Sequence, residues 1–149
     1  MRPLLLILSV TAVASGTPAE AGAPCKLKPK QVVERFTDLF YGQLKVREAF
    51  ETWVAPDYIQ HNPLAPDGRD AAIALLEPYF KSQPGLHYTI ERIIGDGKFV
   101  AVHSHGQSSP ADRGAAVVDI FRVENCRIAE HWDVYQPVPE KSANPHPMF

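Results

Sequence analysis

The stretch Ala115-Ala116-Val117-Val118-Asp119-Ile120-Phe121-Arg122-Val123-Glu124, followed by Asn125-Cys126 and then Arg127-Ile128-Ala129-Glu130-His131-Trp132-Asp133-Val134-Tyr135, reads as a β-hairpin. Both arms are rich in β-branched and aromatic residues, and the connection is too short for anything but antiparallel pairing. Side chains alternate across a strand. In the first arm Val117, Asp119, Phe121 and Val123 share one face, opposite Val118, Ile120, Arg122 and Glu124. In the second, Ala129, His131, Asp133 and Tyr135 lie opposite Ile128, Glu130, Trp132 and Val134. Asp119 therefore sits among three apolar neighbours, where a carboxylate is costly to desolvate unless it is paired or used.

Working upstream, Leu86 to Ile94 and Lys98 to Gln107 read as two more strands, joined by the turn Gly95-Asp96-Gly97. On the second of them Ala101, His103 and His105 share a face. Before Gly85 the period changes to that of helices. Lys30 to Tyr41 carries Val32, Val33, Phe36, Leu39 and Phe40 on one side and ends at Gly42. Val46 to Val54 buries Ala49, Phe50 and Trp53 and is stopped by Pro56. Arg69 to Lys81 follows the turn Asp67-Gly68, with Ile73, Leu76 and Phe80 facing inward. Helices first and strands second predict an α+β domain, an antiparallel sheet against a helix layer. A Pro-rich tail, residues 138–149, closes the chain. There is no internal repeat.

The chain has 149 residues, 45% apolar and 21% charged, with a formal charge of -2. That is one ordinary globular domain with scattered Lys and Arg, and nucleic acid is not an expected partner. Residues 1–21 are built like a secretory signal: Arg2, a short apolar run from Leu4 to Val10, then small residues with Ala-x-Ala patterns. The run is too short to span a bilayer. Export to a periplasm or beyond is expected, with no membrane association after cleavage. An oxidising compartment permits a Cys25–Cys126 disulfide, the alternative being two unpaired thiols.

If the strand registers bring the polar faces together, His103, His105, Asp119, His131 and Asp133 converge near Tyr58-Ile59-Gln60-His61-Asn62-Pro63. Carboxylates and imidazoles around one pocket are the material of acid/base chemistry. The same residue types also serve as satisfied structural hydrogen bonds. Four histidines (His61, His103, His105 and His131) could in principle hold zinc with an aspartate, but no metal-binding spacing is present and no metal is expected. Neither a Gly-rich phosphate loop nor a G-x-S-x-G elbow occurs. His146, in the tail, reads as a surface residue.

Tyr58 to Pro63 followed by Gly68, then Val118 to Asn125 running into Ile128 to Val134, resembles SnoaL-like proteins of the nuclear-transport-factor-2-like superfamily. The resemblance spans residues 28–137. It implies a cone-shaped α+β barrel, three helices packed on a strongly curved sheet, dimeric and without metal or cofactor. The polyketide cyclases of the family close rings by intramolecular aldol condensation, using an aspartate of the last strand as base. By motif position that base is Asp133. His131 and Trp132 come with the same block, His61 and Asn62 with the earlier one, and Asp119 falls at a pocket position that varies in the family. The sequence departs from the family in having Cys126 where relatives often place Gly, and in its export signal.

The candidate catalytic residues are therefore Asp133, Asp119, His131 and His103. The candidate substrate-binding residues are Tyr58, His61, Asn62, Trp132 and His105. Two functions compete: cofactor-free acid/base chemistry on a small carbonyl compound, and non-catalytic binding of a small molecule in the same pocket. An epoxide-hydrolase-like use needs an Asp–Arg–Asp set, and Arg122 lies on the wrong face for it.

Overall fold

The computed structural model describes residues 26–149. The expected signal segment and Cys25 lie outside the described residues. The order of elements is α1 (Pro29–Thr37), a π-helical turn (Asp38–Gly42), α2 (Val46–Trp53), β1 (Val54–Gln60), α3 (Arg69–Lys81), β2 (His87–Asp96), β3 (Phe99–Gln107), β4 (Ala115–Glu124) and β5 (Arg127–Pro137). Three helices pack on one five-stranded sheet of order β1-β5-β4-β3-β2, and the sheet is not closed. This is the expected α+β cone.

The sheet is mixed, which corrects the all-antiparallel expectation. β1 pairs with β5 in parallel, through Val54↔Ile128, Ile59↔Glu130 and Gln60↔His131. Its sequence, Val54-Ala55-Pro56-Asp57-Tyr58-Ile59-Gln60, hides the strand because Pro56 reads as a stop signal. The helix α2 does end ahead of it, at Trp53, but an edge strand tolerates proline where the ladder is interrupted, and the register slips between Val54 and Ile59.

The hairpin that opened the reading forms as expected, with Val117↔Tyr135, Asp119↔Asp133 and Phe121↔His131 as direct partners. Its two turn residues, Asn125 (φ 47°) and Cys126 (φ 58°), are both left-handed, the geometry a two-residue hairpin turn demands. A bulge follows. Arg122 pairs with Glu130 but Val123 pairs with Ile128, so Ala129 is the extra residue. Strict alternation placed Ile128 on the outer face; the bulge returns it to the core, where it is fully buried.

The core lies between the helices and the concave face of the sheet. Phe36 meets Phe50 and Phe121 edge-on, both at 5.5 Å between ring centres. Ile73, Val32, Val33, Val100 and Val102 are buried completely. Each such side chain contributes about 1.5–3 kcal/mol relative to exposure. The helix expected to run through Tyr41 is α-helical only to Thr37. The amide of Gln43 then reaches back five residues to the carbonyl of Asp38 (2.9 Å), the mark of a π-turn. The Tyr41 ring is buried, 4.4 Å from that of Tyr88.

Candidate functional site

Beneath the helices the concave face of the sheet lines a cavity of about 710 Å³. Most of its wall is apolar or aromatic, with rings from Phe36, Phe40, Phe80, Tyr88 and Phe121. One end is polar, and β1, β4 and β5 build it. The Asp119↔Asp133 and Phe121↔His131 pairing sets Asp119, His131 and Asp133 side by side. The parallel pair Gln60↔His131 brings the end of β1 alongside.

Asp119 is only 3% exposed and fully engaged. Tyr41 donates its hydroxyl to Oδ2 (2.8 Å), and His131 Nε2 lies 3.0 Å from Oδ1. The other imidazole nitrogen, Nδ1, lies 3.0 Å from Gln60 Oε1. That oxygen also accepts the backbone N–H of Asn62 (2.9 Å), while Gln60 Nε2 donates to Tyr58 Oη (3.0 Å). The Gln60 amide can be oriented only one way, so His131 Nδ1 must carry a hydrogen. Nε2 and Oδ1 then share a second one. Either an imidazolium faces a carboxylate or a neutral imidazole faces a carboxylic acid. In both cases the pair has no net charge.

Asp133 is held differently. Asn62 Nδ2 donates to both of its oxygens (3.0 and 2.7 Å), and Leu64 N–H donates to Asn62 Oδ1 (2.8 Å), which fixes that amide too. Among the described residues no cation pairs with Asp133. Each carboxylate oxygen keeps a lone pair, and the residue borders the cavity. Both carboxylates accept one hydrogen bond at each oxygen, but Asp119 is buried and paired with an imidazole whose two nitrogens are both engaged, so Asp133 is the less committed of the two.

The phenols stay protonated. Burial first, then the negative charge of Asp119, pushes the Tyr41 hydroxyl well above its usual range. Burial and the same carboxylate raise Tyr58. Burial also raises Tyr88, with the neighbouring Tyr79 and then Asp119 adding to it. Because Gln60 donates to the Tyr58 oxygen, the hydroxyl hydrogen of Tyr58 is left to donate to something else. Donor atoms of Asp119, His131 and Asp133 lie within 4.8 Å of one another and could surround a metal ion, but only if Nε2 gave up its hydrogen.

Of the residues expected at the site, Tyr58, Asn62, Asp119, His131 and Asp133 come together. The others do not. Val102 pairs with Asp119, so His103 and His105 alternate to the outer face of the sheet, opposite Val118 and Ala116. There His103 Nδ1 meets Arg92 (2.6 Å), and His105 stacks on Phe149 of the tail (4.0 Å). His61 and Trp132 also face outward, their rings stacked at 4.5 Å, and His61 Nε2 lies 2.7 Å from Glu130 Oε1. Arg122 pairs with Glu130 and Glu124 on that face, as its strand parity predicted. Tyr41, Gln60 and Tyr88 escaped the sequence reading. Tyr41 is at the end of a helix whose π-turn has no sequence mark, and Gln60 gains its meaning only from the parallel β1–β5 pair.

Residues 33–131 match the SnoaL-like domain, and the chain belongs to that family. Solved structures share the fold. A candidate ketosteroid isomerase from Kribbella flavida is 18% identical, with a TM-score of 0.60, over 78% of this chain and 83% of that one. A candidate polyketide cyclase from Acidithiobacillus ferrooxidans is 16% identical, TM-score 0.59, over 74% and 89%. A nuclear-transport-factor-2-like protein of unknown function from Mesorhizobium loti is 21% identical, TM-score 0.60, over 72% and 90%. No curated protein matches the chain.

Proposed function

We propose that this protein removes a proton from the carbon next to a carbonyl group of a small, largely apolar compound, with Asp133 as the base and no cofactor. The observation that carries the reading is the contrast between two carboxylates on one cavity floor: Asp119 consumed by Tyr41 and His131, Asp133 oriented by Asn62 and otherwise open. In the step, an Asp133 oxygen takes the proton and becomes a carboxylic acid. The C–H electron pair forms the enolate, whose oxygen accepts the remaining hydrogen of the Tyr58 hydroxyl. In an aldol condensation the enolate carbon attacks a second carbonyl of the same molecule. The resulting alkoxide recovers the proton from Asp133. A positioned base of this kind contributes about 10²–10⁴-fold. The ketosteroid isomerase and polyketide cyclase neighbours are named for carbonyl compounds, in keeping with this chemistry.

Asp133→Asn is the test. Turnover of a 1,5-diketone that cyclises by aldol closure should fall by about 10²–10⁴-fold while the circular-dichroism spectrum and equilibrium binding of the diketone persist. Binding without turnover by the unmodified protein would instead make the cavity a binding module.

Export, the Cys25–Cys126 bridge and dimerisation complete the proposal. Cys126 packs against the hydrophobic core. The outer sheet face exposes Ile94, Phe99, Ile120 and Val134, an apolar surface suited to a second copy of this chain.

A further inference from the structure

The wall of the cavity is unusual in its charge. Among the described residues that line it there are three aspartates (Asp112, Asp119 and Asp133), one histidine, and no lysine or arginine. The His131–Asp119 pair is neutral as a unit, whichever atom holds its shared hydrogen. Asp133 has an amide for a partner and not a cation. Asp112, in the 108–114 loop, accepts backbone N–H groups from Ser108 and Gly114 and the Ser108 hydroxyl. Those donors hold its carboxyl down at about 2, so it is ionised throughout the neutral range. The remaining wall is aliphatic and aromatic, and the faces of its rings are electron-rich and attract positive charge. The hydroxyls of Tyr41, Tyr58 and Tyr88 add hydrogen bonds but no positive charge.

We infer that this cavity selects its guest by charge, admitting neutral and ammonium-bearing carbonyl compounds and rejecting those that carry a free carboxylate or phosphate. The inference names the substrate class of the proposed reaction and rests on the reading of this cavity as a ligand site. An anionic guest would meet Asp133 in a setting of low dielectric with nothing to neutralise it. At about 5 Å and an effective dielectric near 20, that repulsion is worth on the order of 100-fold in affinity. A cationic guest gains from the same field and from the rings.

The experiment is isothermal titration of the full chain at pH 7 with three matched probes. They are 2-acetylnaphthalene bearing, at position 6, a methoxy, a trimethylammonium or a carboxylate group. The carboxylate should bind at least 30-fold more weakly than the methoxy compound, and the trimethylammonium at least as tightly. Asp133→Asn should shrink the neutral-to-carboxylate ratio at least tenfold. Asp112→Asn, at an exposed loop whose loss leaves the core intact, should shrink it less but measurably. A carboxylate that binds as well as the methoxy probe overturns the inference, as does a ratio indifferent to both substitutions. Failure of all three probes to bind overturns it together with the ligand-site reading. Charge selection without turnover of any carbonyl compound would leave the inference standing and remove only the base.

Discussion

Asp119 and Asp133 stand directly opposite each other on neighbouring antiparallel strands. Like charges in that position oppose the pairing. The structure relieves the conflict by treating the two carboxylates differently. Asp119 shares a hydrogen with His131 and accepts one from Tyr41, while Asp133 leans on an oriented amide. One is committed to internal partners, and the other borders the cavity with only an amide for a partner.

Breaking the neutral pair from one side should be expensive. His131→Leu leaves Asp119 buried without its partner, and the expected loss of stability is about 3–5 kcal/mol. Replacing both residues with leucine should recover a good part of that loss. Urea denaturation of the two single variants and the double variant measures it, and simple additivity would contradict the shared-hydrogen geometry.

Tyr41→Phe removes one donor to a carboxylate without opening a cavity. The hydrogen bond goes to a group that is charged or half-sharing a proton, so the cost should be about 1.5–3 kcal/mol in urea denaturation. A change below ~0.5 kcal/mol would mean that Asp119 takes little from the π-turn.

Alkaline stability should report the three buried phenols. Tyr41, Tyr58 and Tyr88 all have their ionisation raised above the ordinary value of 10.0 by burial. The unfolded chain ionises these groups first, so the stability they contribute is intact below pH ~10 and declines as pH rises beyond it. Tyrosinate absorbance of the folded protein should lack three of its five tyrosines until the protein unfolds. Full tyrosinate absorbance in a still-folded protein at pH 11 would refute the burial argument.

The proposed Cys25–Cys126 bridge predicts no reactive thiol when the protein is denatured without reductant. Bridging Cys25 to Cys126 closes a loop of about 100 residues, worth up to ~4.7 kcal/mol in the chain-entropy account. Denaturant midpoints with and without reductant measure that contribution, and two titratable thiols in the unreduced protein would end the idea.

Much of this was legible before any coordinates. Val117, Asp119, Phe121 and Val123 on one side of β4, and His131 and Asp133 on one side of β5, follow from alternation and a two-residue turn, both local properties of the backbone. The helix Arg69–Lys81 follows as directly from its apolar period and the Gly68 before it. What misled was the same rule carried across strands. His103 has the right chemistry on a strand of the right kind, but a register shifted by one residue reverses its face, and no residue in β3 announces that register.

By itself, then, the chain determined its class, its hairpin and the two aspartates on a common face, because periodicity, turn chemistry and desolvation cost act between near neighbours in sequence. Tertiary structure alone decided that Pro56 lies within an edge strand, that Gln60 orients His131 and that Tyr41 caps Asp119. Those contacts join residues 71 and 78 positions apart. They form only when parallel pairing and a π-turn bring distant segments together, and the free energy that selects them comes from packing the whole core.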